Sequence, residues 1–378
     1  MNYLTILFQI MKTGKSGNER ENEVRRVQVT GRGSYVVSLP KQWVKQARLK
    51  RGGRVEFVEQ PGVGLLMVPI TESKVEEDQP RCEILISPNA TADSVARKII
   101  SLYVVGFSTI VLTSDSENLS ASVRDVIRYV ARRKLVGVEL VNESSKSATL
   151  QVLLDLPQLL VPDVLRRMSS IMTSMLQDAT HSLTIPDPEL ANQVLKIDDE
   201  MDRFSLYIIR QLKWAVQHPL LLGRIGLTAP VECLGYRIIT KGVERSADHA
   251  ARVAKNSMVI GHRMSSTLLK DINTLSGMAS RMMQTAIGSL FVGDYELAES
   301  VLLDREKISS LEAKLVGHLL KEKMSASELS ALRLILESLR RIGEYATDIS
   351  EVVLNLTVKK SIEAPPAETR HVRRKPKA

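Results

Sequence analysis

Four carboxylates in two helical segments are the side chains of this chain best placed to do chemistry. Asp198 and Asp202 stand four residues apart, and so do Glu244 and Asp248. That spacing puts both members of a pair on one helix face. Each acid follows an apolar stripe position by one residue: Ile197 and Met201 precede the first pair, Val243 and Ala247 the second. Consecutive helices joined by a short loop run antiparallel, and the flank one residue later then falls on the same side of their shared seam. If the pairs lie level, four carboxylates converge on one groove. Like charges this close raise one another's pKa values. A multivalent cation relieves the repulsion, and a carboxylate cluster suits hard or borderline metals. The alternative is an acidic surface patch offset by Lys241 and Arg245. His249 adjoins Asp248 but points away from the seam, so it is not counted as a ligand.

The same helices recur further along, with the acids changed. A shift of 107 positions carries Met175, Gln177, Ala179, Asp187, Glu189, Leu190 and Ala191 onto Met282, Gln284, Ala286, Asp294, Glu296, Leu297 and Ala298. By that shift Asp198 falls on Arg305 and Asp202 on Ser309. A shorter loop makes the offset 96 for the third helix, which sets Arg340 under Glu244 and Glu344 under Asp248. Two arginines replace two carboxylates, so the second groove can neutralise itself. Packing is kept in both copies; the acidic site is expected in the first alone.

These groups need elements to hold them. The first copy reads as helices at Val164–Leu183, Pro188–Gln217 and Ala229–Ile260, the second at Leu268–Phe291, Tyr295–Lys323 and Ala326–Leu356. Leu190, Val194, Ile197, Met201, Phe204, Ile208 and Leu212 step by four and three, the stripe of a bundle helix. Upstream lies a small α/β layer: strands at Cys82–Ile86, Thr109–Thr113, Gly137–Asn142 and Ala148–Leu154, helices at Thr91–Val105 and Ala121–Lys134. Asn89 and Ser120 are the expected N-caps. Arg132, Arg133 and Lys134 read as a solvated helix C-terminus, where cations suit the dipole.

The first 54 residues carry 12 Lys/Arg and 3 Asp/Glu, and the last 20 carry seven and two, on a chain of net charge +9. The body between is mildly acidic. A basic head points to a polyanion. Within it, strands at Arg25–Val29, Tyr35–Leu39, Arg54–Glu59 and Leu65–Pro69 flank a short helix at Lys41–Leu49. Such a module is too small for a core of its own, which predicts dimerisation. Cys82 and Cys233 form no metal or disulfide framework, so a reducing, cytoplasmic setting is expected. No apolar run reaches spanning length. Tyr3–Met11 makes a poor signal peptide, and Met11 is an alternative start.

Two resemblances follow from these residues. V-R-R-V-Q-V-T-G-R-G-S-Y-V-V-S-L-P-K-Q-W-V with L-K-R-G-G-R-V-E-F, over residues 24–70, resembles the AbrB/SpoVT swapped-hairpin domain. That likeness implies an interlaced homodimer that binds DNA through Arg25, Arg26 and Arg32, with Lys41, Arg48, Lys50, Arg51 and Arg54 nearby. V-L-K-I-D-D-E-M-D, V-E-R-S-A-D-H-A and L-R-R-I-G-E-Y-A-T-D-I-S-E resemble the PhoU family of phosphate-uptake regulators. That likeness implies two three-helix bundles whose acidic motifs hold multinuclear metal, with iron or zinc likeliest from the family. Here Asp198, Asp202, Glu244 and Asp248 retain the motifs, so one cluster at most is implied, in the first bundle. The fusion of the two resembles an archaeal arrangement.

The expected organisation is a multidomain α+β chain. It comprises a flexible segment (1–22), a dimerising DNA-binding domain (23–71), a small α/β domain (80–156), PhoU-like tandem bundles (160–360) and a basic disordered tail (361–378). The expected function is regulation of phosphate uptake, with DNA held by the head and effectors or partners met by the helical part. The alternative is an adaptor that docks on a phosphate transporter or its ATPase without binding DNA. No nucleophile or general-base set accompanies the carboxylates, so no enzyme is expected.

Overall fold

A computed structural model describes residues 23–31, 33–60, 64–70, 80–115, 118–153, 159–218, 221–261 and 264–363. The expected flexible segment 1–22 and all but the first three residues of the expected tail lie outside them. The chain forms two compact units, the first ending at Asp78 and the second beginning at Gln79.

The first unit is two hairpins and a short helix. β1 (Gln28–Thr30) pairs antiparallel with β2 (Ser34–Val36), and β3 (Arg54–Gln60) with β4 (Gly64–Ile70). Between them lies α1 (Lys41–Gln46), preceded by Pro40. Gly31 and Gly33 adopt positive φ at the β1–β2 turn, where a side chain would be strained. None of the described residues of this unit is buried. Val29, Tyr35, Phe57 and Leu65 are all more than half exposed.

The second unit begins with a four-stranded sheet of order β5-β6-β8-β7. Its strands are β5 (Arg81–Ile86), β6 (Thr109–Ser114), β7 (Val138–Glu143) and β8 (Ser147–Val152). β5 and β6 are parallel and joined by α2 (Ala92–Val105); the other pairings are antiparallel. Thr91, not Asn89, caps α2: its hydroxyl accepts from the Ser94 N–H at 3.2 Å. Ser120 caps α3 (Ala121–Tyr129) as expected. The continuous helix expected to Lys134 instead changes to a π turn over Val130–Lys134. Ile99, Tyr103, Ile110, Leu112, Ile127, Leu135 and Leu150 form the core of the layer.

The helices follow as α4 (Val161–Thr184), α5 (Pro188–Gln217), α6 (Glu232–Ser257), α7 (Ser266–Val292), α8 (Tyr295–Leu302), α9 (Arg305–Leu319) and α10 (Ala326–Glu363). One continuous core runs through all of them, from Val161 to Val353. The repeat is visible in the caps: Asp187 accepts from the Leu190 N–H and Asp294 from the Leu297 N–H, both at 2.9 Å. The single helix expected over Tyr295–Lys323 is two, interrupted at Leu303–Asp304. By the 107 shift Asp304 replaces Ile197, a core-packed stripe residue. An Asp there cannot pack into the stripe, and its carboxylate instead accepts from the Lys307 Nζ at 2.7 Å. α10 runs past the expected Leu356 to Glu363.

The α/β layer and the bundles, read separately in the sequence, pack as one unit. Arg210 of α5 is buried and clamps the C-terminal end of α2. Its Nη1 donates to the Phe107 carbonyl at 2.9 Å and also to that of Tyr103, and its Nη2 donates to that of Gly106 at 3.1 Å. Its guanidinium lies over the Tyr103 ring at 4.8 Å. Gly106 is the C-cap residue of α2 and Tyr103 lies in its last turn, where a cation suits the dipole. Arg210→Met is expected to cost about 2 kcal/mol. Hydrogen exchange should accelerate at residues 102–107 while the bundle amides hold their protection. Unchanged exchange there would remove Arg210 from this role.

Candidate functional site

α5 and α6 pack side by side and bring the predicted acids together. Asp202, Glu244 and Asp248 each offer a carboxylate oxygen, and the three oxygens lie within 4.8 Å of one another. Among the described residues they are the group of acids, His and Cys close enough to share a cation. Asp198, one turn before Asp202, adjoins this trio without joining it. Burial, then the Asp202 charge, pushes the Asp198 carboxyl up to about 6, and Asp199 and Glu244 add to the rise. Burial, then Glu244, pushes Asp248 up to about 6 as well. Burial is the larger cause for both acids, and the neighbouring carboxylates add to it.

Glu244 is the innermost of the set, at 7% exposure. Lys241 donates to its Oε1 at 2.5 Å. The same ammonium lies against Oε2, yet that oxygen is buried with no hydrogen bond of sound geometry. A buried carboxylate oxygen without a directed partner is costly. An oxygen-only donor set with one such atom fits a hard cation better than a soft one.

A group that sequence reasoning missed completes the site. Lys134, expected to be solvated, reaches from the π turn to α5, with its Nζ 2.6 Å from Asp199 Oδ1 and 3.0 Å from Asp202 Oδ2. Burial draws its pKa down, but these two hydrogen bonds outweigh burial and hold it above the usual lysine value. Beside it, the Arg203 Nε donates to the Leu135 carbonyl at 3.1 Å. The basic run Arg132-Arg133-Lys134 carried a hint of this, but its partners lie 65 and 68 residues away. Arg132 and Arg133 are exposed, as expected.

In the second copy, Arg340 ion-pairs with Glu344, the residue standing in place of Asp248. Arg341 donates to the other Glu344 oxygen at 2.7 Å and to the Tyr345 hydroxyl at 3.2 Å. Self-neutralisation is thus built from α10 alone. Arg305 is exposed and makes no ion pair among the described residues. His249 faces Tyr345, with ring centroids 5.8 Å apart, and stays off the acidic seam as expected.

In the first unit, Arg25, Arg26, Lys41, Arg48, Lys50, Arg51 and Arg54 are all exposed. Arg25 ion-pairs with Glu23. Arg32 lies outside the described residues. No helix among the described residues is long and apolar enough to cross a membrane.

The PhoU domain model matches residues 165–257 and again 272–353, one match per copy. This is a PhoU-like chain. A second model, "Antidote-toxin recognition MazE, bacterial antitoxin", matches residues 28–74, so the PhoU tandem carries a MazE/AbrB-like head. The chain is 26% identical over 201 residues to a "Phosphate-specific transport system accessory protein PhoU homolog" of Pseudomonas aeruginosa, covering 50% of this chain and 78% of that protein. Its likeness to a protein of the same description from Clostridium acetobutylicum is 23% over 210 residues, 53% of this chain and 91% of the relative. The crystal structure of PhoU from Pseudomonas aeruginosa aligns over 53% of this chain and 96% of its own, at 22% identity and a TM-score of 0.46.

The raised Asp198 pKa has a consequence for stability. An unfolded aspartate ionises near 3.8 and the folded one near 6. Between those values the folded state holds the extra proton, so its contribution to stability falls as pH rises through that window. Above the window the loss is complete. In metal-free protein, Asp198→Asn should raise the thermal midpoint at pH 7.5 by a few degrees, and the gain should shrink towards pH 4.5. A gain of equal size at both pH values would mean that charge repulsion is not its cause.

Proposed function

We propose that this PhoU-like chain is a dimeric regulator of phosphate uptake. In this reading the MazE/AbrB-like head binds DNA, and the first bundle binds a metal ion through Asp202, Glu244 and Asp248, with Asp198 beside them. The observation that carries it is the joining of an acid-retaining PhoU copy to a basic hairpin module in which no described residue is buried. Val29, Tyr35, Phe57 and Leu65 need a partner surface, and a second copy of the hairpins supplies one. A twofold pair also doubles the array of exposed arginines and lysines, and phosphate contacts of that kind release counterions. The names of the relatives support the link to phosphate transport.

The oxygen-only ligand set favours iron over zinc. When bound, such a cation would supply charge neutralisation at the seam and nothing catalytic is required of it. Lys134 already neutralises part of Asp202 and Asp199. It therefore competes with an entering cation for Asp202, and binding is linked to how the π turn sits on α5. Lys134→Met is expected to tighten metal binding by about tenfold, the scale of one charge-assisted hydrogen bond released, measured by competition with a coloured chelator. Asp202→Asn should abolish binding. Protein purified without metal above trace, and unable to take up iron or zinc, would sink the metal reading.

For the head, the measurement is binding to the DNA upstream of its own coding region against a scrambled control, at low and physiological salt. A preference that survives physiological salt, and is lost on Arg25→Ala/Arg26→Ala/Arg32→Ala, is the expected result. The relatives are described as accessory proteins of a transport system, which favours one second reading: an adaptor that docks on a phosphate transporter or its ATPase. Equal, weak, salt-sensitive binding to both DNAs, together with co-purification of transporter components, would decide for it.

A further inference from the structure

A polar groove of about 410 Å³ runs between α6 and α10, and Asp248 of the acidic trio stands on its rim. α6 contributes Arg245, His249 and Arg252, spaced four and three apart and hence in one row. α10 contributes Arg340, Arg341 and Tyr345. Four guanidiniums thus face a single cleft.

Their charges are unevenly satisfied. Arg340 and Arg341 share Glu344. Arg245 and Arg252 are exposed and make no ion pair or side-chain hydrogen bond among the described residues. Asp248 and Glu337 also line the groove, but neither pairs with an arginine there. On its floor, His249 is 8% exposed, and its Nδ1 is buried with no hydrogen-bond partner. An unpartnered ring nitrogen inside a cluster of arginines is an unfilled place for an oxygen. A neutral imidazole there can donate to one oxyanion oxygen or accept from a protonated one.

We infer that this groove is an anion site that takes inorganic phosphate, single or condensed, between the free guanidiniums of Arg245 and Arg252 and the Nδ1 of His249. Guanidinium forks pair with the oxygens of phosphate as they do with those of a carboxylate, and a tetrahedral oxyanion has oxygens enough for more than one fork. Nucleotide phosphate offers the same oxygens, but the groove gives a base nothing to stack on. Tyr345 is 8% exposed, with the Arg341 guanidinium 5.2 Å from its ring centroid and that of Arg245 6.0 Å away. The second copy's exchange of Glu244 for Arg340 then has a use beyond silencing a metal site: it places a cation on the wall of this cleft.

Asp248 is shared with the acidic trio, so the test uses chelator-treated full-length protein, which keeps any metal out of the result. Orthophosphate, tripolyphosphate, ATP and sulfate are titrated calorimetrically at physiological salt. Saturable binding of orthophosphate or tripolyphosphate is expected, with sulfate weaker and ATP no tighter than tripolyphosphate. Arg245→Gln/Arg252→Gln, a change of two exposed side chains that leaves the core intact, should weaken it at least about tenfold with an unaltered circular dichroism spectrum. Arg133→Gln, at an exposed arginine outside the groove, should leave it unchanged. Absence of binding by the unaltered protein would overturn the inference, as would equal affinity for all four anions or an affinity indifferent to the double substitution. Binding of ATP alone would overturn the assignment to inorganic phosphate.

Discussion

The close approach of α6 to α10 is the constraint on which the rest of the second unit hangs. Two glycines on α6 permit it. A Cβ on Gly235 would meet the Leu356 Cδ1 at 2.9 Å, and one on Gly242 would meet two Ile349 carbons at 3.0 Å. Any side chain would push the helices apart or force Leu356 and Ile349 from their places. With both glycines, α6 is sandwiched, packing on α4 and α5 on one side and on α10 on the other. Glu244 then opens towards α5, Arg245 and Arg252 towards α10, and Asp248 stands between the two.

That division explains how a helix can carry buried charge without being destabilised outright. Glu244 and Asp248 point to a seam where Lys241 and Lys134 supply nearby ammonium groups. Arg245 and Arg252 point to a cleft where Asp248 and Glu337 temper their repulsion. Asp248 lies within reach of both. A carboxylate with two cationic claims on it couples the two grooves by electrostatics alone, since whatever neutralises it on one side weakens its pull on the other.

Much of this was legible in the sequence, because it follows from short-range periodicity. α5 has the expected limits because Asp187 caps it and Pro188 fits its first turn. Asp202, Glu244 and Asp248 meet because a flank position on one helix must face the same flank on its antiparallel neighbour. Asp198 falls just outside the trio, since pairs four apart need not lie level to within one turn. The second copy's broken helix escaped notice because one Asp in place of Ile197 looks like an ordinary surface change. Lys134 escaped for a different reason: its partners are distant in the chain, and a basic residue at a helix end has a good local explanation. The Asn89 cap was displaced by Thr91, two residues on, within the usual ambiguity of a polar run before a helix.

The π turn at Val130–Lys134 accommodates one residue more than an α-helical path would. That surplus residue sets the angular position of everything after it. Each residue of an α-helix advances the chain by roughly 100°. Were these same residues wound as α-helix, Lys134 would swing around the axis by about that angle. The ammonium would leave α5 and face the side now held by its neighbours. A single inserted residue thus acts as the phase setting between the sheet layer and the acidic helix, and fixes which of three adjacent basic side chains meets the aspartates.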